Sequence, residues 1–167
     1  MNMKKHWLKS LAVAAVVAMG SANASAEVLA AVAANGRHGL HDAQAPIAGM
    51  STKTFKHSGG PLVATYSAEC SVSAPETSAY GDKGVVDVDI TVSNEQGTQV
   101  LGRFAPTGDD SAFCSSNVPG KSSAPGTYSI TAVSTLPPGV YTVEVRGRTN
   151  SRFVSGWMGP RSLVVSR

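Results

Sequence analysis

The sequence predicts an all-β protein, an antiparallel β-sandwich, and three observations carry that prediction. Apolar and polar residues alternate with a period of two in several separate runs. The runs are bounded by clusters of glycine, proline, serine and asparagine. Beyond residue 36, no stretch keeps the apolar period of an amphipathic helix. Within 167 residues this pattern amounts to one domain preceded by shorter segments.

Residues 1–26 read as a secretory signal peptide. Lys4, Lys5 and Lys9 form a positive head, and Leu11 to Met19 is a continuous apolar run broken by Gly20 and Ser21. Ala22-Asn23-Ala24 and Ala24-Ser25-Ala26 supply small-residue cleavage patterns, with cleavage expected after Ala26. The apolar run has about half of the ~20 residues that a bilayer-spanning helix needs, so no transmembrane helix is expected in the exported chain. Losing three lysines leaves 11 Lys+Arg against 11 Asp+Glu, so the +3 formal charge belongs to the address and not to the folded protein. Export to the periplasm or the extracellular space follows, and nucleic acid is not an expected partner.

Residues 27–60 show no sustained period. EVLAAVAAN has the composition of a short helix ending at Gly36. The glycine- and proline-rich remainder is expected to be a flexible N-terminal arm or linker, because it has few large apolar side chains to bury.

The β-sandwich domain is expected over 61–167. In LVATYSAECSV, Leu62, Ala64, Tyr66, Ala68, Cys70 and Val72 share one face, with polar residues opposite. GVVDVDITV alternates likewise, with Val86, Val88, Ile90 and Val92 inward and Asp87 and Asp89 outward. Asn94 to Gly97 is turn material, so Thr98 to Phe104 returns as a hairpin partner. TYSITAVS (127–134), VYTVEVRGR (140–148) and Ser162 to Ser166 supply further strands. Leu136-Pro137-Pro138-Gly139-Val140-Tyr141-Thr142-Val143 resembles the strand-entry turn of immunoglobulin-like and fibronectin-like Greek-key domains. That resemblance implies a Tyr141 hydroxyl tied to the backbone of the corner. Immunoglobulin-like Greek-key connectivity is therefore the first expectation and a jelly roll the second.

Cys70 and Cys114 are the two cysteines of the chain, and in an oxidising compartment an even pair predicts one disulfide. Two cysteines exclude a four-thiolate zinc or iron–sulfur site, and a redox C-x-x-C is absent from the sequence.

Several groups are candidates for chemistry. His38, His41 and Asp42 could donate to a metal, with His57 further on, but H-x-x-H lacks the i,i+4 spacing of a helical zinc pair. Asp109 and Asp110, and Asp82, lie in loops whose oxygens could hold calcium. Neither group has the full pattern of a metal site, so no metal or other cofactor is expected. Asp87 and Asp89 are paired carboxylates of the kind glycosidases use, but neighbouring positions on one strand face fit a solvated polar surface better. G-x-S-x-G, S-x-x-K and H-E-x-x-H are all absent, so no catalytic residue is assigned.

Arg146, Arg148, Arg152 and Arg161 are interleaved with Phe153 and Trp157, and exposed arginine with aromatic residues can bind polyanions or stack on sugars. The segment from Thr149 to Pro160 is the expected place of ligand contact. The function expected is an exported, disulfide-stabilised, non-enzymatic binding or structural accessory module for a glycan, envelope component or protein. A small carboxylate-dependent hydrolase and a secreted inhibitor or effector are the alternatives.

Overall fold

The computed structural model describes residues 26–74, 83–107, 112–118 and 120–167. Among these residues the chain forms strands and no helix. In order they are β1 Val28–Ala34, β2 His38–Leu40, β3 Ala45–Ser51, β4 Phe55–His57, β5 Gly60–Ser73 and β6 Gly84–Asn94. There follow β7 Gln99–Pro106, β8 Cys114–Ser116, β9 Gly126–Leu136, β10 Gly139–Thr149 and β11 Ser155–Ser166.

They make two antiparallel sheets that pack face to face, which bears out the sandwich. The front sheet runs β1-β11-β5-β9, with β2 also on β11. The back sheet runs β3-β10-β6-β7, with β4 also on β10 and β8 also on β6. The pairs nest: β1 and β2 with β11, β3 and β4 with β10, β5 with β9, and β6 with β7 and β8. A chain folded back on itself and rolled up in this way is a jelly roll, the second of the two connectivities expected.

The period-two pattern explains the core. Leu62, Ala64, Tyr66, Ala68, Cys70 and Val72 on β5 face Val86, Val88, Ile90 and Val92 on β6, and all are buried. Val143 and Val145 on β10 and Leu163 and Val165 on β11 complete the layer. Each full burial of such a side chain contributes roughly 1.5–3 kcal/mol. Phe113 packs against Tyr66 and Tyr128, with ring centroids 5.4 and 5.8 Å away. Beside it the predicted disulfide forms between Cys70 on β5 and Cys114 on β8, with Cα atoms 6.2 Å apart. The bond therefore joins the two sheets.

Residues 27–60 depart from the expected arm. They supply β1 to β4, and the alanine-rich segment read as a short helix is β1. Helix propensity is a weak local preference, and here β11 and β10 offer backbone partners more than 80 residues away in sequence. The main chains of Glu27 and Arg167 exchange hydrogen bonds of 3.1 and 3.0 Å, which extends the β1–β11 pairing by one step.

The corner before β10 forms as the resemblance implied. The Tyr141 hydroxyl donates to the Pro137 carbonyl at 3.0 Å. The returning ring lies 2.9 Å from where a Cβ on Gly139 would sit, so close approach rather than a positive φ requires that glycine. β11 is longer than expected, starting at Ser155, because a register shift between Met158 and Arg161 hides its alternation. The residues expected to form a loop from Thr149 to Pro160 therefore belong largely to strands, with a short turn between β10 and β11.

Candidate functional site

On the outer face of the back sheet, β10 and β6 set Arg148 opposite Asp87, Arg146 opposite Asp89 and Glu144 opposite Thr91. Arg148 Nε donates to Asp87 Oδ2 at 3.2 Å, and Gln44 Nε2 donates to Asp89 Oδ2 at 2.7 Å. Thr91 donates through its hydroxyl to the Glu144 carbonyl at 3.3 Å, and Arg146 Nε lies 3.8 Å from Glu144 Oε1. Asp87 and Asp89 are only 2% and 6% exposed, so the expected solvated face is corrected. Opposite charges at cross-strand spacing lie down on one another, and Gln44 covers the end of the row. Both carboxylates are held in internal bonds, and neither lines the depression described below.

The other residues singled out in the sequence are scattered. Arg152 stacks on Phe153 at 4.7 Å in the turn between β10 and β11, where Phe153 is 65% exposed. Arg161 is buried: its guanidinium donates to the carbonyls of Ala48, Gly159 and Gly36, tying β3 and the β1–β2 turn to β11. It is a structural clamp and not an exposed contact. Arg146 and Arg148 lie on the back face, whereas Trp157 lies on the front, so the arginines and aromatics do not form one patch.

His38 is half-buried on β2 opposite Met158, while His41 and Asp42 are exposed. Burial first, then the charges of Arg161 and His41, holds the His38 pKa below its usual value. Among the described residues no group of three His, Cys, Asp or Glu could hold a metal. Asp82, Asp109 and Asp110 lie outside the described residues, as do residues 1–25 of the segment 1–26 read as a signal. His57 belongs to β4, is buried, and sits 3.2 Å through Nε2 from the Gly60 carbonyl and edge-on to Tyr141.

The outer face of the front sheet is different in kind. Its paired outward positions are Val63 with Val133, Thr65 with Thr131 and Ser67 with Ser129. Hydroxyl pairs link Thr65 to Thr131 at 3.0 Å and Ser67 to Ser129 at 2.9 Å, leaving a flat, uncharged surface there. At Gly159 and Pro160 the register shift of β11 breaks this flatness. A depression of about 450 Å³ opens beside it, lined by Asn35, Ser67, Glu69, Thr127, Pro160 and Ser162 among others. A side chain on Gly159 would run into the Glu69 carboxylate and lie 3.2 Å from the Trp157 ring, so both residues border the bulge. Trp157 is half-buried, with the Arg37 guanidinium 4.6 Å over its ring.

The depression collects a carboxylate, an amide and three hydroxyls, which together can hydrogen-bond a polar ligand, and the Trp157 ring under Arg37 borders the bulge beside it. Trp157 was legible in the sequence; Glu69, Asn35 and Arg37 were not. A signal for them existed in the Gly159-Pro160 pair inside a strand pattern, which marks a bulge, and in Glu69 as the one charge on the outer face of β5.

No protein-family model matches the chain, and no curated protein matches it either. Solved structures with a related arrangement include the infectious bursal disease virus Gt strain, at 14% identity and a TM-score of 0.41, covering 84% of this chain and 32% of that one. A CocE/NonD family hydrolase from Staphylococcus aureus is similar at 11% identity and a TM-score of 0.38, covering 86% of this chain and 37% of that one. The chain thus spans about a third of the length of the solved structures it resembles.

Proposed function

We propose that this protein is an exported binding module, without catalytic chemistry of its own, that takes a saccharide on the outer face of the front sheet. The observation that carries the reading is the depression at the β11 bulge, where Glu69, Asn35, Ser67, Thr127 and Ser162 converge beside Trp157. Sugars present ring faces that aromatic side chains cover and hydroxyls that carboxylate, amide and hydroxyl groups bond. Glu69 is the one charge lining the depression toward the open face, since Arg161 is held by three carbonyls, so neutral or amino sugars fit better than polyanions. The inter-sheet disulfide and the predicted signal peptide support export. Among the described residues no helix is long and apolar enough to cross a membrane. The hydrolase alternative loses its main support because Asp87 and Asp89 are held by Arg148 and Gln44.

The test is a glycan array probed with the full chain as recovered after export, followed by titration of the best ligand at two salt concentrations. Binding to neutral or amino saccharides that Glu69→Gln weakens at least about tenfold is expected. Exclusive retention of sulfated or uronate-rich glycans, with steep salt dependence, would replace this reading with a polyanion one.

A further inference from the structure

The front sheet ends at β9, and among the described residues nothing pairs with the outer edge of that strand. The other edges of the sandwich carry features that discourage strand addition. β1 has a register shift near its start, and β2, β4 and β8 have only three residues each. β3 contains Pro46, has Gly49 at a φ of 76° and shifts register against β10. β7 shifts register twice against β6 and ends at Pro106. β9 has none of these devices. Its 11 residues, GTYSITAVSTL, include no charge and no proline, and they pair with β5 without a shift. Its inward Tyr128 and Ile130 are only partly buried, and its outward Val133 is 65% exposed.

We infer that β9 pairs antiparallel with β9 of a second copy of this chain, about a two-fold axis at Thr131. Thr131 is the midpoint of Gly126–Leu136, so full overlap sets it against its own counterpart. In that register Ile130 faces Ala132 of the second copy and Tyr128 faces Ser134, large against small on the inward side. On the outward side Thr127 meets Thr135 and Ser129 meets Val133, so no like charges are opposed. The hydroxyl contacts this creates are of the kind β9 already makes with β5. Self-complementarity in size and charge favours a second copy over an unrelated strand, which the backbone alone would hold. The pairing covers few residues a side, so the dimer is expected to be weak and dependent on concentration. It places both bulge depressions on one side of a continuous sheet.

Sedimentation velocity on the full chain across a concentration series tests this, with Thr131→Lys and Thr131→Glu measured singly and mixed. Thr131 is exposed, so both variants are expected to fold, and circular dichroism checks that. The wild type should dimerise, and each variant alone should associate at least about tenfold more weakly through like charges at the axis. The equimolar mixture should recover the dimer. Three results would overturn the inference: a wild type still monomeric at about 100 μM, a dimer indifferent to both variants, or a mixture that fails to recover. A monomer that instead takes up an extended peptide along β9 would also overturn the second-copy assignment.

Discussion

The two outer faces of the sandwich are built from the same strand alternation and come out as opposites. On the back sheet the outward residues are charged, and they neutralise one another in register until Asp87 and Asp89 are nearly sealed from water. On the front sheet the outward residues of the β5–β9 pairs are threonine, serine and valine, with Glu69 the one charge of β5, and they stay half-buried or exposed. Facing away from the core therefore does not mean facing solvent. Charges of opposite sign on adjacent strands cover one another, whereas short hydroxyl side chains have no reach with which to do so. The proposed recognition surface falls on the face with the fewer charges.

The largest expected effect comes from removing the tie between the two faces. Replacing Cys70 and Cys114 by alanine opens a loop with a sequence separation of 44. It should cost about 4 kcal/mol on the chain-entropy model. Urea denaturation reads this as a lower midpoint with cooperative unfolding of both sheets, and an unchanged midpoint would mean that the sheets hold together without the bond.

A paired substitution sharpens the contrast next. Asp87→Asn removes the carboxylate partner of Arg148 and should cost about 2 kcal/mol. Glu69→Gln on the front face should cost less than about 0.5 kcal/mol, because no ion pair or hydrogen bond of its side chain is found among the described residues. Equal losses by thermal unfolding would erase the distinction between a structural face and an open one.

The smallest effect concerns pH. His38 has a folded pKa held below 6.5 by burial and by Arg161, so the unfolded chain binds more protons at and below that value. Stability should therefore fall as the pH drops through about 6.5 toward the folded pKa. His38→Gln should flatten this part of the pH–stability curve. A wild-type curve that rises on acidification in that window would contradict the burial of His38.

Much of the fold was legible in the sequence because it rests on alternation. The inward runs of β5, β6 and β10 were plain, as were the disulfide and the corner at Tyr141. The first four strands were hidden because Val28–Ala34 is rich in alanine, only half-buried, and stabilised by β11 at the far end of the chain. Jelly-roll connectivity could be expected only second to the immunoglobulin-like one, since nested pairing depends on strands whose existence was missed. At the site, Trp157 could be named from its type alone. Glu69 and Asn35 line the depression beside it only because a bulge at Gly159 and Pro160 brings β5, β11 and the end of β1 together there. Such a convergence of distant positions leaves no local pattern.

Whether recognition belongs to the front face is decided by isothermal titration of the saccharide selected on the array into the wild type, Trp157→Ala and Arg146→Ala. Trp157→Ala, beside the depression, should weaken binding at least about tenfold, while Arg146→Ala on the back face should stay within about twofold of the wild type. Loss of binding in Arg146→Ala with Trp157→Ala unaffected would instead place recognition on the back sheet.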